Sequence, residues 1–405
     1  GGVGDCNWRV KEEFSVPLSP NEESTRKALS ESVSEIIAPA VPKLLRLSLT
    51  AVLIDCVDKF SDLCKNLIAS ASKVGVKGVV VLTTTPGICE GLRGVMGGDG
   101  LCLDIRKPCK IAENWIREGL KARTLCRSAR NAALRHRAGG RYYDTVSLGS
   151  LAILMMTRSF FWHEFLKAGV SIFAIDADSA FFRNPFSEGF LDSARFTLEL
   201  FASMHSQGKA MIPSGKSECN TIKGYPNPLR DEQGKKILCA AVPPPYFATP
   251  PSMWWFERQT RLAIKCQNDI QTDTTHDLAD FYPDIRHRTG NGTMLHSLAG
   301  TSASGNQEVI QKPWGGHEFH GSLNESMFDP LPPHCSPIKQ SSQVRMLPMD
   351  TVLQKCTHQE PLKNKTDNGL LIALHANCAF GVGMNVTARA TAKRDWLLQS
   401  GMWYI

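Results

Sequence analysis

The 405 residues predict an α/β fold with a mixed, mostly parallel central sheet flanked by helices. Three observations carry that expectation. The run LSLTAVLIDC (Leu47 to Cys56), the segment FSDLCKNLIASASKVG and the run VKGVVVLTTT follow one another as strand, helix and strand. A parallel βαβ unit takes about 30 residues, and this stretch supplies them. A further apolar run, Val170 to Ile175, follows a helical stretch from Ser147 to Gly169 and ends on Asp176-Ala177-Asp178. Late in the chain a short strand, Leu370 to Leu374, leads into HANCAFG.

Taken in order, residues 1–43 are charged, carry Pro17, Pro20, Pro39 and Pro42, and show little periodicity, so they read as a stem or linker. Leu47 to Cys56 is continuous, apolar and partly β-branched, the pattern of a strand buried on both faces. Phe60, Leu63, Leu67 and Ile68 then recur at helical spacing, and Gly75 supplies a stop. VKGVVVLTTT repeats the buried-strand pattern. Residues 237–265 pair a strand-like stretch around Pro245–Thr249 with an amphipathic helix through Trp255 and Leu262. Residues 286–345 are rich in Gly, Ser, His and Pro and read as a long surface insertion or flexible loop. No internal repeat is visible.

Composition narrows the function classes. Hydrophobic residues at 42% and charged residues at 21% are ordinary for a globular chain, which excludes a disordered one. The net charge of +7 suits an anionic ligand such as a nucleotide diphosphate and does not by itself call for nucleic acid. The 13 cysteines include no CxxC pair, against a zinc ribbon or a thioredoxin-like site; buried thiols and a disulfide framework both remain open. Sequons at Asn291, Asn324, Asn364 and Asn385 lean toward a secretory location. No stretch of about 18 unbroken apolar residues offers a membrane span.

The sharpest local signal is IFAIDADSAFFRNPF, from Ile172 to Phe186. A buried strand delivers two carboxylates at alternate positions, at the carboxyl end where open α/β sheets place their ligands. Asp176 and Asp178 in that arrangement can share a hard divalent cation, Mn²⁺ or Mg²⁺, with a diphosphate completing the shell. A haloacid-dehalogenase-type phosphatase also sets DxD after a strand, with the first aspartate as nucleophile. That motif normally sits near the start of its domain, whereas here it lies mid-chain and is followed by Ser179-Ala180. Acids that merely cap a turn are the plainest alternative.

Several blocks, in the same order, resemble the nucleotide-diphospho-sugar transferases that include plant cell-wall arabinosyl- and xylosyltransferases, glycosyltransferase family seventy-seven. They are VLIDCVDKFSDLCKNLIASASKVGVKGVVVLT, HEFLKAGVSIFAIDADSAFFRNPF, CAAVPPPYFATPPSMWWFERQ and LLIALHANCAFG, with DWLL after the last. The resemblance spans roughly residues 47–400, and the HANC block combined with DxD is its most specific part. It implies a GT-A fold over 44–405, with 44–190 as the nucleotide-sugar half and 191–405 as the acceptor half. It also implies a UDP-sugar donor, a divalent metal, a glycan or glycoprotein acceptor and retention of the donor's α-configuration. The location it implies is the Golgi lumen, reached through a type II membrane anchor ahead of this stretch. Carried over by position, Asp176, Asp178 and His375 would hold the metal. Asp58, Arg158 and Asn377 would contact the nucleotide or its diphosphate. Asp269 falls near the family's "DQ" acid at the reacting centre, with Asp273 competing for that register. The sequence departs from the pattern in three places: Ala177 stands for a larger residue, the "DQ" pair is not intact, and the lysine expected around Asn385 is replaced. Those departures motivate a non-catalytic relative with a scaffolding role as the alternative.

Other features fit less specific roles. Lys121, Arg123, Arg127, Arg130, Arg135, Arg137 and Arg141 form a basic stretch. Without an accompanying RNA- or DNA-binding motif it reads as a solvated face or a surface for acidic polysaccharide or lipid head groups. His287, His296, His317, His320 and His334 are irregularly spaced for a second metal site. Tyr246, Phe247, Trp254 and Trp255 suit either stacking on a sugar ring or core packing.

Overall fold

The computed structural model describes residues 18–122, 150–187, 190–193, 197–201, 203–204, 240–241, 245–264, 311–312, 319–322, 343–347, 351–355, 371–376 and 386–405. Four parallel strands form its centre: β1 (Thr50–Cys56), β2 (Val79–Thr83), β3 (Leu101–Asp104) and β4 (Ser171–Ile175). They lie in the order β4-β1-β2-β3, with Val52 opposite Val79, Thr50 opposite Ser171 and Val80 opposite Leu101. Successive side chains of a strand point to opposite faces. In β1, Ala51 and Leu53 therefore join one core, while Val52 and Ile54 join the other. Both faces being covered is why these strands read as unbroken apolar runs.

One face carries α1 (Pro20–Ile37), α2 (Val41–Leu47), α5 (Arg106–Ala122), α6 (Ser150–Lys167) and α7 (Met253–Ile264); the other carries α3 (Ser61–Lys73) and α4 (Ile88–Met96). The stem reading of 1–43 is corrected over residues 20–43. Leu29, Val33, Ile37 and Leu44 are buried in the same core as α6. The prolines misled because Pro20 and Pro42 sit in the first turns of α1 and α2, where a missing N–H costs nothing and the ring's φ favours the helix. Ser19 closes a capping box: its hydroxyl accepts from Glu22 N, and Glu22 Oε2 accepts from Ser19 N at 2.7 Å.

The first strand begins at Thr50 rather than Leu47, because Leu47 ends α2 and Leu49 turns the chain with φ of 58°. Gly78, at φ of 73°, lets β2 enter close beside it; a Cβ there would lie 2.3 Å from Thr50 O.

Beyond β4 the sheet continues with antiparallel β9 (Tyr246–Ala248), then β6 (Leu198–Phe201), β12 (Gln343–Leu347) and β11 (Phe319–Ser322). The expected loop over 286–345 is thereby corrected in part, since β12 lies parallel to β6 in the main sheet. These strands are short, and their surrounding Gly, Ser and Pro hide them in the sequence. A small sheet joins β7 (Ser203–Met204), β8 (Ala240–Ala241) and β10 (Gln311–Lys312). Another joins β5 (Ser179–Phe181), β13 (Val352–Gln354) and β14 (Ala373–His375). Against the latter packs α8 (Val386–Gln399) through Trp396 and Leu397. The chain end is tied to α3 by Asn66, whose Nδ2 donates to Met402 O and whose Oδ1 accepts from Tyr404 N.

Disulfides join Cys56 to Cys64 and Cys89 to Cys102, so the framework reading holds for these four, while Cys109 is a buried thiol that burial pushes up to about 12. Phe247 packs in the core against Phe186, which settles its role as packing. The basic stretch from Arg123 to Arg141 lies outside the described residues. No helix among the described residues is long and apolar enough to cross a membrane.

Helix α1 is fastened to α6 by a buried charge. Glu164 Oε2 accepts from the Ser34 hydroxyl at 2.6 Å, and Oε1 lies 2.9 Å from His163 Nδ1. Burial alone would raise this carboxyl, but His163, Ser34 and Lys167 outweigh it and hold it at about 2. A depressed carboxyl adds stability above its unfolded value near 4.5, and that stability is lost as pH falls toward about 2. Glu164→Gln is expected to destabilise the protein by about 1–3 kcal/mol at neutral pH. Urea unfolding across that pH range checks it, with the difference from the parent shrinking as the medium is acidified.

Candidate metal centre

The acidic pair is positioned by two strands that meet from distant parts of the chain. Strand β4 ends at Ile175, Asp176-Ala177-Asp178 forms the turn, and β5 starts at Ser179. Ser179 N donates to Asp176 O across this turn. Strand β14 then pairs antiparallel with β5, setting His375 opposite Ser179, and Ala376 N donates to Asp178 O at 2.9 Å. The ladder carries the imidazole to the carboxylates: His375 Nε2 lies 3.4 Å from Asp176 Oδ2 and 3.2 Å from Asp178 Oδ1.

Each carboxylate turns one oxygen toward His375 and the other toward a fixed cation. Asp176 Oδ1 lies 3.7 Å from Arg158 Nη1, and Asp178 Oδ2 accepts from the Lys393 ammonium of α8. Arg158 also donates to Asp55 Oδ2 at 3.2 Å, and its guanidinium stacks 5.0 Å from the Trp162 ring. Arg158 is only 2% exposed, which sets aside a solvated helix charge.

Burial sets the electrostatics. It pushes Asp176 up, against His375 and Arg158, while Asp178 and Asp55 push the same way. Asp55 is likewise raised by burial and opposed by Arg158. Burial also works against charge on Asp178, yet Lys393 and His375 together hold its carboxyl well below the usual range. The His375 imidazole is desolvated too, but Asp178 and Asp176 outweigh that and raise it.

The three inward atoms fit a small divalent ion. Ligand atoms of Asp176, Asp178 and His375 all lie within 4.8 Å of one another. Octahedral coordination at about 2.1 Å places neighbouring ligand atoms about 3 Å apart, close to the histidine–carboxylate separations here. Two carboxylates and an imidazole are together compatible with a divalent cation. His375 Nδ1 has no hydrogen-bond partner among the described residues, so the orienting contact usual for a ligating histidine is not among them.

Of the residues singled out in the sequence, Asp176, Asp178, His375 and Arg158 come together. Asp58 is exposed at the head of a 3₁₀ turn, Asp58–Phe60, following β1, and it stays outside this hydrogen-bonded cluster. Asn377, Asp269, Asp273 and Asn385 lie outside the described residues. Two members were missed. Asp55 was hidden in an apolar run, where a lone acid in a strand buried on both faces was the available signal. Lys393 had none: it is 215 residues from Asp178, on a helix whose pattern says nothing about the site. It nevertheless brings a lysine to the acidic pair, by its ion pair with Asp178.

No family model and no curated protein matches the chain.

Removing one member of a buried charge pair leaves the other uncompensated and costs about 3–5 kcal/mol. Arg158→Met is expected to fall in that range by chemical denaturation. Asp55→Asn in the same chain recovers part of the loss, because the two groups share one interaction.

Proposed function

We propose that the chain is a metal-dependent glycosyltransferase of GT-A architecture, moving a sugar from a UDP-sugar to a hydroxyl of a glycan or glycoprotein with retention of α-configuration. The observation that supports it most is the convergence of His375 on Asp176 and Asp178 at the carboxyl end of parallel strand β4. That edge is where open α/β sheets receive nucleotides. A bound Mn²⁺ would supply Lewis-acid neutralisation of the diphosphate leaving group. The protein's own part is positional. Asp176, Asp178 and His375 would hold the ion, and Arg158 compensates Asp176 and Asp55. Such preorganised charge needs no rearrangement when the reaction occurs. The two disulfides suit an oxidising compartment, in keeping with the Golgi lumen.

A non-catalytic relative is the second reading, and the Lys393–Asp178 ion pair favours it, because Arg158 and Lys393 already offset most of the cluster's negative charge. UDP calorimetry with and without Mn²⁺ separates the two. Metal-dependent UDP binding is expected for the parent. Changes outside the ligand set cost about 10–100-fold in metal affinity, so loss of a ligand in Asp178→Asn should exceed that range. UDP binding indifferent to Mn²⁺, or no UDP binding at all, would leave the fold without this chemistry.

A further inference from the structure

Ser179 and His375 face each other across the β5–β14 ladder, and each buries a polar atom that has no hydrogen-bond partner among the described residues. The atoms are the Ser179 hydroxyl and the second imidazole nitrogen, Nδ1. The two residues are 1% and 2% exposed, so both atoms are closed to solvent. The bonding pattern of the ladder says how near the side chains stand. Ala376 N donates to Asp178 O, and Phe182 N donates to Ile372 O. Backbone bonds therefore flank the pairs His375–Ser179 and Ala373–Phe181 instead of joining their own members. Both pairs are of the non-hydrogen-bonded kind, in which Cα atoms come to about 4.5 Å and side chains lie closest. Ala373 and Phe181 share one core, whereas Leu374 and Ala180, on the other face of the ladder, share another. With both faces buried, the register cannot slip to separate the hydroxyl from the imidazole.

We propose that Ser179 is a positioning residue for His375, its hydroxyl serving as the partner of Nδ1 when Nε2 ligates a metal ion. The proposal rests on the metal-site reading above and adds the group that orients its histidine. A ligating imidazole gives the lone pair of one nitrogen and carries its proton on the other. The partner of that second nitrogen fixes the tautomer and the ring orientation. Here Nε2 is the nitrogen turned toward Asp176 and Asp178, at 3.4 and 3.2 Å, so Nδ1–H is the donor left over. A hydroxyl suits this place because it rotates and offers both a proton and lone pairs. With an ion held, Ser179 Oγ accepts from Nδ1–H. Without one, a neutral imidazole donates Nε2–H to the acidic pair, and the same hydroxyl donates to Nδ1. A carbonyl or a carboxylate could serve only the first state. Rotation of the short Ser179 side chain between staggered positions carries the hydroxyl across, while the ladder holds the backbone of both residues.

Calorimetry of MnCl₂ binding without nucleotide, on the parent, Ser179→Ala and Ser179→Thr, tests this. It is paired with nitrogen NMR of histidine-labelled protein loaded with ZnCl₂, a diamagnetic ion that imidazole ligates well. Ser179→Ala should lower Mn²⁺ affinity by about 10–100-fold, the scale of losses outside the ligand set. Ser179→Thr keeps the hydroxyl and should stay near the parent. The zinc-loaded parent should show a slowly exchanging proton on His375 Nδ1, which the Ala variant loses and the Thr variant retains. Ser179→Gly replaces the Ala variant if the latter does not fold, with thermal unfolding as the check. Unchanged Mn²⁺ affinity, or an unchanged Nδ1–H signal, in a folded Ala or Gly variant would overturn the proposal and leave the metal site standing. Equal losses in the Ala and Thr variants would also overturn it, because packing rather than the hydroxyl would then be responsible. Failure of every folded protein to bind either ion would remove the metal reading and this inference with it.

Discussion

Three carboxylates, Asp55, Asp176 and Asp178, crowd the carboxyl edge of a sheet whose faces are both covered. Desolvating such charges side by side is strongly unfavourable unless cations meet them with good geometry. Arg158 from α6, Lys393 from α8 and His375 from β14 do so. The rest of the architecture depends on placing those three groups. Helix α6 must lie across the core for Arg158 to reach inward, and it does so with Phe160, Phe161 and Phe165 fully buried around it. Strand β14 must pair with β5 in one register, since a shift of one residue would turn His375 to the opposite face.

The same requirement explains why the end of the chain belongs to the site. Helix α8 buries its last turn with Leu374 and Ala376, the residues flanking His375. The segment beyond it is fixed to α3 through Asn66, and α3 is joined to β1 by the Cys56–Cys64 disulfide. Strand β1 carries Asp55, so the acidic edge, the histidine strand and the terminal lysine form one connected body. Perturbing any link should be felt at the carboxylates. The two aspartates flanking Ala177 are not equivalent within it. Asp178 is held low by Lys393 and His375, whereas burial pushes Asp176 up, with Asp178 and Asp55 acting the same way against His375 and Arg158.

Much of the sheet is legible in the sequence because its strands are buried on both faces. Continuous β-branched runs mark β1, β2 and β4 without reference to anything distant, and the helical period of Phe60, Leu63 and Leu67 marks α3. The acidic pair is visible for the same reason: a run that apolar has to end at the sheet edge, and the residues just after it sit where ligands bind. The stem reading failed where proline, a breaker inside a helix, stood at a helix start. The strands between 319 and 347 were missed because they are short and set among Gly, Ser and Pro, where local preference carries little information.

The sequence by itself determined the parallel βαβ core and the strand that ends on Asp176 and Asp178. Those are properties of contiguous residues, governed by periodicity and by which side chains can be buried. Tertiary structure alone decided that His375 faces both acids, that Asp55 joins them under Arg158, and that Lys393 closes on the outward oxygen of Asp178. Ion pairing acts through space and leaves no period in the chain. Residues 215 apart become partners only after strand pairing and helix packing have brought them together.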